Sequence, residues 1–283
     1  MNYRHAYHAG NFADVLKHAV LALVIAYLKQ KPTAFRVIDT HAGIGLYDLS
    51  GAEAQKTGEW RDGIGRLLAA DALPAAAARQ LAPYLDVIRE LNPQGTLTSY
   101  PGSPLLARRL MRSGDPLVAN EFHPEDAIAL RRLLASEPDS KVLELDGYVA
   151  LRSLLPPKER RGLVLIDPPF EETNELQRLI GAVSDFTRRF ATGTLMIWFP
   201  IKDPRNIDEF HRTLVKLALP KLLAVEILIR EPRRVDMLNG CGLVILNAPY
   251  TLAVELDTLM PVLVRLLQQG PGASGRVEAL TAG

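Results

Sequence analysis

Five short apolar runs, spaced along a 283-residue chain and separated by helical patterns, constrain this sequence more than any other feature. They are "AFRVID" ending at Asp39, "PLVANE" at Glu121, "KVLELD" at Asp146, "GLVLID" at Asp167 and "GTLMIWFP" at Pro200; four of them end in an acid. Continuous apolar runs of this length are strands buried on both faces. The intervening periodic stretches, about Asn11 to Lys29, Pro124 to Ala135, Tyr148 to Leu155, Glu175 to Phe190 and Asp208 to Leu217, predict helices. Alternating strands and helices predict an α/β fold with a mostly parallel sheet and helices on both faces. The last two apolar runs, "LLAVEILIR" and "CGLVILNAP", are joined by a segment too short for a parallel crossover, which predicts a closing antiparallel hairpin. Residues 47–94 are Ala-rich and helical in pattern without a strand signal, and predict a helical insertion. Ser103 before Pro104 has the pattern of a helix N-cap. The Gly-rich tail after Gln269 is expected to be loose.

Ligands of open parallel sheets bind outside the carboxyl ends of the strands. Asp39, Glu121, Asp146 and Asp167 are therefore delivered to one edge. An acid there can also simply cap the following helix, but four in series, with the turn "DTHAGIG" after the first, favour a ligand cleft. Gly43 and Gly45 would let backbone approach that ligand. A dinucleotide fingerprint needs a small residue where Asp48 stands, and a Walker loop needs a Gly-Lys-Ser/Thr that is absent, so an uncharged or zwitterionic nucleoside fits better than a phosphate. Glu121 is placed to accept from ribose hydroxyls, and Asp146 with Gly147 to take an adenine amino group.

Lysine and arginine nearly balance aspartate and glutamate, for a net charge of +1, so affinity for nucleic acid must come from local clusters. The amino terminus is the basic end: Arg4, Lys17, Lys29, Lys31 and Arg36 face Asp14 alone before residue 37, and His5, His8, His18 and His41 fall close by. Tyr3, Arg4, His5 and Tyr7 interleave rings and cations in residues 1–11, which predicts a substrate-binding arm, mobile without RNA, with Lys17 turned towards the same surface. His5, His8 and His18 lack a cysteine or paired acid to complete a metal site, so no metal is expected. A single cysteine, Cys241, excludes an internal disulfide framework and suits the cytoplasm. No apolar run reaches membrane-spanning length.

Asp167-Pro168-Pro169-Phe170 matches the [DNS]-P-P-[YFW] signature of amino-group methyltransferases. With "YRHAYHAGNFADVLKH", "DTHAGIG", "YPGSP", "NEFHP" and "DG" in this order, the chain from Tyr3 to about Tyr250 resembles the RlmJ-type 23S ribosomal RNA adenine-N6 methyltransferases. The resemblance implies a Rossmann-like class I methyltransferase domain built from residues 1–46 and 95–283, interrupted by a small helical insertion subdomain at 47–94. It implies S-adenosylmethionine as cofactor, held by His18, His41, Gly43, Ser103, Glu121, Asp146, Gly147 and Asp167. It further implies that Asp167 is the catalytic acid-base position and that Tyr3 meets 23S ribosomal RNA; a cytoplasmic monomer is expected. Family members often carry Tyr where this chain has Phe170; stacking survives that change and a phenolic hydrogen bond does not.

The chemistry of the motif agrees. The lone pair of an exocyclic adenine amine is delocalised into the ring, so a carboxylate (Asp167) and the Pro168 carbonyl holding its two hydrogens would turn the lone pair towards a methyl donor. Phe170 would stack the flipped base, and consecutive prolines would keep the loop stiff. The alternatives are the same transfer onto DNA adenine or a protein glutamine, and a nucleotide-binding Rossmann protein without chemistry. No duplex-DNA recognition domain is evident, glutamine methylation usually shows Asn at the first motif position, and the last alternative leaves the double proline unexplained. A near-copy, "NAPY" at Asn247 to Tyr250, falls in the terminal hairpin and is expected to be away from the cleft.

Overall fold

The computed structural model describes residues 4–280. A first helix, α1 (Phe12–Lys29), is capped by Asn11, whose side chain accepts from the Ala13 and Asp14 amides. Strand β1 (Arg36–Asp39) follows. Then come β2 (Leu46–Asp48), α2 (Ala52–Thr57), a wide π turn at Arg61–Gly65 running into the short α3 (Arg66–Leu68), α4 (Ala75–Leu91) and β3 (Ser99–Pro101). The alternation resumes as α5 (Ser103–Leu110), β4 (Leu117–Asn120), α6 (Pro124–Leu134), β5 (Ser140–Leu143), α7 (Gly147–Leu154), β6 (Gly162–Ile166), α8 (Glu175–Arg189), β7 (Thr194–Ile201) and α9 (Pro204–Lys216). The chain closes with β8 (Leu222–Leu228), β9 (Gly240–Leu246), α10 (Leu252–Leu267) and β10 (Ser274–Ala279).

The main sheet has the order β10-β8-β9-β7-β6-β1-β4-β5. Strands β5, β4, β1, β6 and β7 are parallel, and β9, β8 and β10 then add antiparallel neighbours. The chain steps outward from β1 to β4 and β5, then returns to the other side of β1 as β6. That reversal opens a crevice at the carboxyl ends of β1 and β6, where Asp39 and Asp167 emerge. Leu163 to Ile166 of β6 are buried on both faces, one side packing under α1 and the other under α7 and α8. This is why the run reads as continuously apolar.

Four local expectations are corrected. The tail beyond Gln269 is ordered: Ser274–Ala279 pairs with β8 from Ser274↔Leu228 to Ala279↔Leu223. Segment 47–94 is bracketed by a small β2–β3 ladder, Tyr47 opposite Tyr100. Ser103 does not cap α5; Gly102 holds that position, and the hydroxyl is used elsewhere. Helix α9 also starts four residues earlier than its apolar periodicity, because Asp203 caps the Arg205 amide and Pro204 occupies the first turn. Within segment 47–94, α4 buries Leu81, Tyr84 and Ile88 in the same hydrophobic core as α1.

Candidate active site

A cavity of about 1170 Å³ opens at the carboxyl ends of the parallel strands. Its wall brings together Lys17 and His18 from α1, His41 and Gly43 after β1, Ser103, Glu121, and the whole Asp167-Pro168-Pro169-Phe170 stretch.

At one end the polar groups are wired to one another. Ser103 Oγ donates to Asp39 Oδ2 at 2.6 Å, and the His41 amide reaches Asp39 Oδ1 at 3.3 Å. Burial pushes the Asp39 carboxyl up to about 7, against the pull of the Ser103 hydrogen bond. Having directed its proton to Asp39, Ser103 presents lone pairs, which suits a cationic ligand group. Glu121 is similarly engaged: Oε2 accepts from the Gly43 amide and Oε1 from the His123 amide, both at 2.8 Å. Burial raises its pKa in opposition to these amides. The carboxylate therefore ties the turn after β1 to the loop after β4, and each oxygen retains a lone pair for a hydroxyl.

His18 is fully buried, stacked on Tyr100 with ring centroids 5.5 Å apart, and its Nδ1 lies 2.8 Å from the Tyr100 hydroxyl. Burial drives its pKa down to about 3, so the ring is neutral at pH 7. Its Nε2 is buried without a partner among the described residues, at the wall of the cavity, where a ligand can satisfy it. Gly43 has φ +60°, and a Cβ there would stand 2.4 Å from the Tyr47 hydroxyl. This orphaned nitrogen, the Ser103 acceptor and the glycine cradle fit a zwitterionic nucleoside such as S-adenosylmethionine.

Asp146 and Gly147 are not in the cavity wall. Asp146 caps α7 through the Tyr148 and Val149 amides and pairs with Arg178 at 3.2 Å. Gly147 lies against His41: a Cβ would come within 2.4 Å of His41 Nε2. It thereby lets the imidazole, whose pKa burial lowers to about 4, sit at the wall.

At the other end, Asp167 Oδ2 meets Lys17 Nζ at 2.6 Å, and Lys17 also reaches Asp14 Oδ1 at 2.8 Å. Burial opposes the lysine's charge, but Asp14 and Asp167 outweigh it and raise its pKa well above the usual range. Lys17 is thus a buried counter-ion of Asp167 at the cavity wall. Phe170 takes a left-handed backbone, φ 51°, and sets its ring edge-to-face with Trp198 at 5.7 Å. Trp198 and the Lys17–Asp167 pair went unrecognised in the sequence; the only local signal was Asp14 three residues before Lys17 on a helix.

The expectation of a mobile arm differs from the structure. Tyr3 lies outside the described residues, but residues 4–11 are folded against the cavity rather than free. His5 Nε2 lies 2.9 Å from Asp14, His8 pairs with Glu59 at 3.0 Å, and Arg4 bridges Glu125 and Asp126. The Gly10 carbonyl accepts from Ile64 of the insertion. Among the described residues no group of histidines, cysteines and acids is arranged to hold a metal, and no helix is long and apolar enough to cross a membrane.

A parallel sheet with its switch point at β1, an antiparallel extension beyond β7 and a crevice at the strands' carboxyl ends define a Rossmann-like class I methyltransferase fold. Residues 32–279 match the family model described as "Ribosomal RNA large subunit methyltransferase D, RlmJ", and the chain belongs to that family. It is 37% identical over 273 residues to ribosomal RNA large subunit methyltransferase J of Escherichia coli K12, covering 96% of each chain. It is 39% identical over 282 residues to the protein of the same name from Haemophilus influenzae, covering 99% of each. A crystal structure of a Legionella pneumophila protein superposes with a TM-score of 0.87 at 33% identity, covering 96% of this chain and 98% of that one.

Proposed function

We propose that the protein transfers a methyl group from S-adenosylmethionine to the exocyclic N6 amine of an adenine in 23S ribosomal RNA. The observation that carries this reading is the placement of the Asp167-Pro168-Pro169-Phe170 loop in one cavity with the His18, Ser103 and Glu121 cluster. The names of the two relatives support ribosomal RNA as substrate.

His18, His41, Ser103 and Glu121 would hold the cofactor, with Gly43 allowing close backbone approach; Asp146 and Gly147 would act from behind His41. The cofactor would supply an electrophilic methyl on a sulfonium. Asp167 accepts one hydrogen of the amine and the Pro168 carbonyl the other, so the nitrogen lone pair faces out of the base plane. Lys17, 2.6 Å from Asp167, would hold the carboxyl group oriented, a pre-set field that needs no rearrangement as charge develops on the nitrogen. The amine nitrogen would take the methyl, and Asp167 would be the adjacent base for the one proton that nitrogen then sheds. Phe170, braced by Trp198, stacks the extruded base.

The direct test is transfer of labelled methyl to total RNA and to DNA, followed by nucleoside digestion. N6-methyladenosine in large-subunit RNA is the expected product. Label in DNA alone, or in protein glutamine, would overturn the reading.

A further inference from the structure

Trp198 and Pro200 near the end of β7 and Lys202, the first residue past it, line the cavity, while Phe199 and Ile201 turn into the core. The strand therefore presents a strip that begins at the ring bracing Phe170 and ends in an ammonium group at the rim. The cavity wall is otherwise short of available positive charge. Lys17 is held by Asp14 and Asp167, and Arg4 by Glu125 and Asp126. Nearby arginines are also occupied, Arg205 by Asp203, Arg233 by Glu231 and Arg234 by Asp236. Asp48 and Glu53 add negative charge to the wall. Lys202 is exposed and takes part in none of the ion pairs found among the described residues.

The backbone beneath it is fastened. Asn239, 1% exposed, donates through Nδ2 to the Lys202 carbonyl at 2.9 Å and to the Arg234 and Met237 carbonyls at 2.7 and 3.2 Å. Its own amide reaches the Ile201 carbonyl at 3.0 Å. One buried side chain thus joins the β8–β9 loop to the end of β7 and holds the Lys202 backbone in register with the base-stacking rings.

We propose that Lys202 is the phosphate anchor of the substrate site, taking a backbone phosphate beside the extruded adenosine, with Asn239 as its positioning residue. A nucleotide whose base lies against Phe170 must bring its phosphate out through an acidic rim, and Lys202 is the cation on that side of the wall not already committed to an acid. The assignment rests on the reading that a polynucleotide adenine enters this cavity.

Steady-state methylation of a large-subunit RNA fragment at several salt concentrations, run beside anisotropy binding of the same RNA, tests it. Lys202→Ala should raise KM for RNA by about tenfold, leave kcat and affinity for S-adenosylhomocysteine unchanged, and lower the log–log salt slope by about 1. Lys202→Glu should exceed that loss, and Lys202→Arg should restore KM to within about twofold. Wild-type binding and salt slope in Lys202→Ala, or a fall in kcat at constant KM, overturns the assignment. Wild-type protein that binds the RNA but methylates no adenine in it overturns the functional reading alone, since the Lys202 variants are still scored by anisotropy; wild-type protein that does not bind RNA overturns both.

Discussion

Two loops of this protein are near-copies in sequence and opposites in setting. Asp167-Pro168-Pro169-Phe170 leaves β6, and Asn247-Ala248-Pro249-Tyr250 leaves β9. Each contains a left-handed residue, Phe170 at φ 51° and Asn247 at φ 53°. The difference is strand direction. β9 runs antiparallel to β7, with Leu246 opposite Leu195 near the start of that strand, so its loop emerges at the far edge of the sheet. There Asn247 donates to the Ala191 and Gly193 carbonyls at 2.8 and 2.7 Å, and Tyr250 is 80% exposed with only an edge contact to Tyr27. Asp167 instead faces a cavity and a buried lysine. A local motif acquires chemistry only where the topology supplies a second set of groups to face it.

The largest expected contrast follows directly. Asp167→Ala should lower methyl transfer by about a thousandfold, the scale of losing a pre-set polar group at a reacting centre. Affinity for S-adenosylhomocysteine, read by calorimetry, should stay within a few-fold, because the carboxylate faces the amine. Asn247→Ala should keep its activity and lose about 1 kcal/mol of stability as the Ala191 and Gly193 carbonyls lose their donor. Equal loss of activity in the two variants would collapse the distinction between the loops.

Phe170→Ala against Tyr250→Ala sharpens the same contrast by a smaller amount. Loss of a stacking face worth roughly 1–3 kcal/mol predicts a kcat/KM about 10- to 100-fold lower for the first. Tyr250→Ala should stay within about twofold of wild type. Glu121→Ala probes the cofactor end of the working edge. Removing the carboxylate frees the Gly43 and His123 amides as well as any ribose contact, so S-adenosylhomocysteine should bind about tenfold more weakly while the melting temperature also falls. Unchanged affinity would make Glu121 a purely structural tie.

The central parallel strands, the closing hairpin and the cavity-lining motif were legible in the sequence because burial on both faces leaves an unbroken apolar run; β5, at the sheet edge, has no fully buried residue. The β10 strand was not: Ser274 to Ala279 is an exposed edge strand, held by ladder hydrogen bonds to β8 and not by an apolar pattern. Tertiary pairings were equally silent. Lys17 lies 150 residues from Asp167, and Ser103 lies 64 from Asp39, so a cation and a helix-start serine read locally as an RNA contact and a cap. The arm misled for the same reason. Its rings and cations lack aliphatic anchors nearby, yet Asp14, Glu59, Glu125 and Asp126 converge on it in space. Truncation of residues 2–8 should therefore lower stability as well as RNA methylation.

The smallest effect separates the two edges by titration. Asp39 lies on the working edge with Asp167 and Lys17 nearby, and its folded carboxyl is raised to about 7 by burial against Ser103. A carboxyl raised in the fold binds its proton more tightly there than in the unfolded chain. Its contribution to stability is therefore full below the ordinary carboxylate range and is lost as pH rises towards 7. Asn cannot titrate, so wild type should lose stability relative to Asp39→Asn by about 1–2 kcal/mol between pH 5.5 and 7.5, and the difference should level off above that. His18 and His41, whose pKa values are lowered to about 3 and about 4, act in the opposite sense but are present in both proteins, so their contribution cancels in the comparison. The corresponding residue of the far loop, Asn247, carries no titrating group, and Asn247→Ala should track wild type at a constant offset across the same range. Urea midpoints of the three proteins from pH 5.5 to 8 provide the measurement. Parallel curves for wild type and Asp39→Asn would mean that Asp39 is ionised in the fold, and Ser103 would then be bonded to a charged carboxylate and not to a neutral acid.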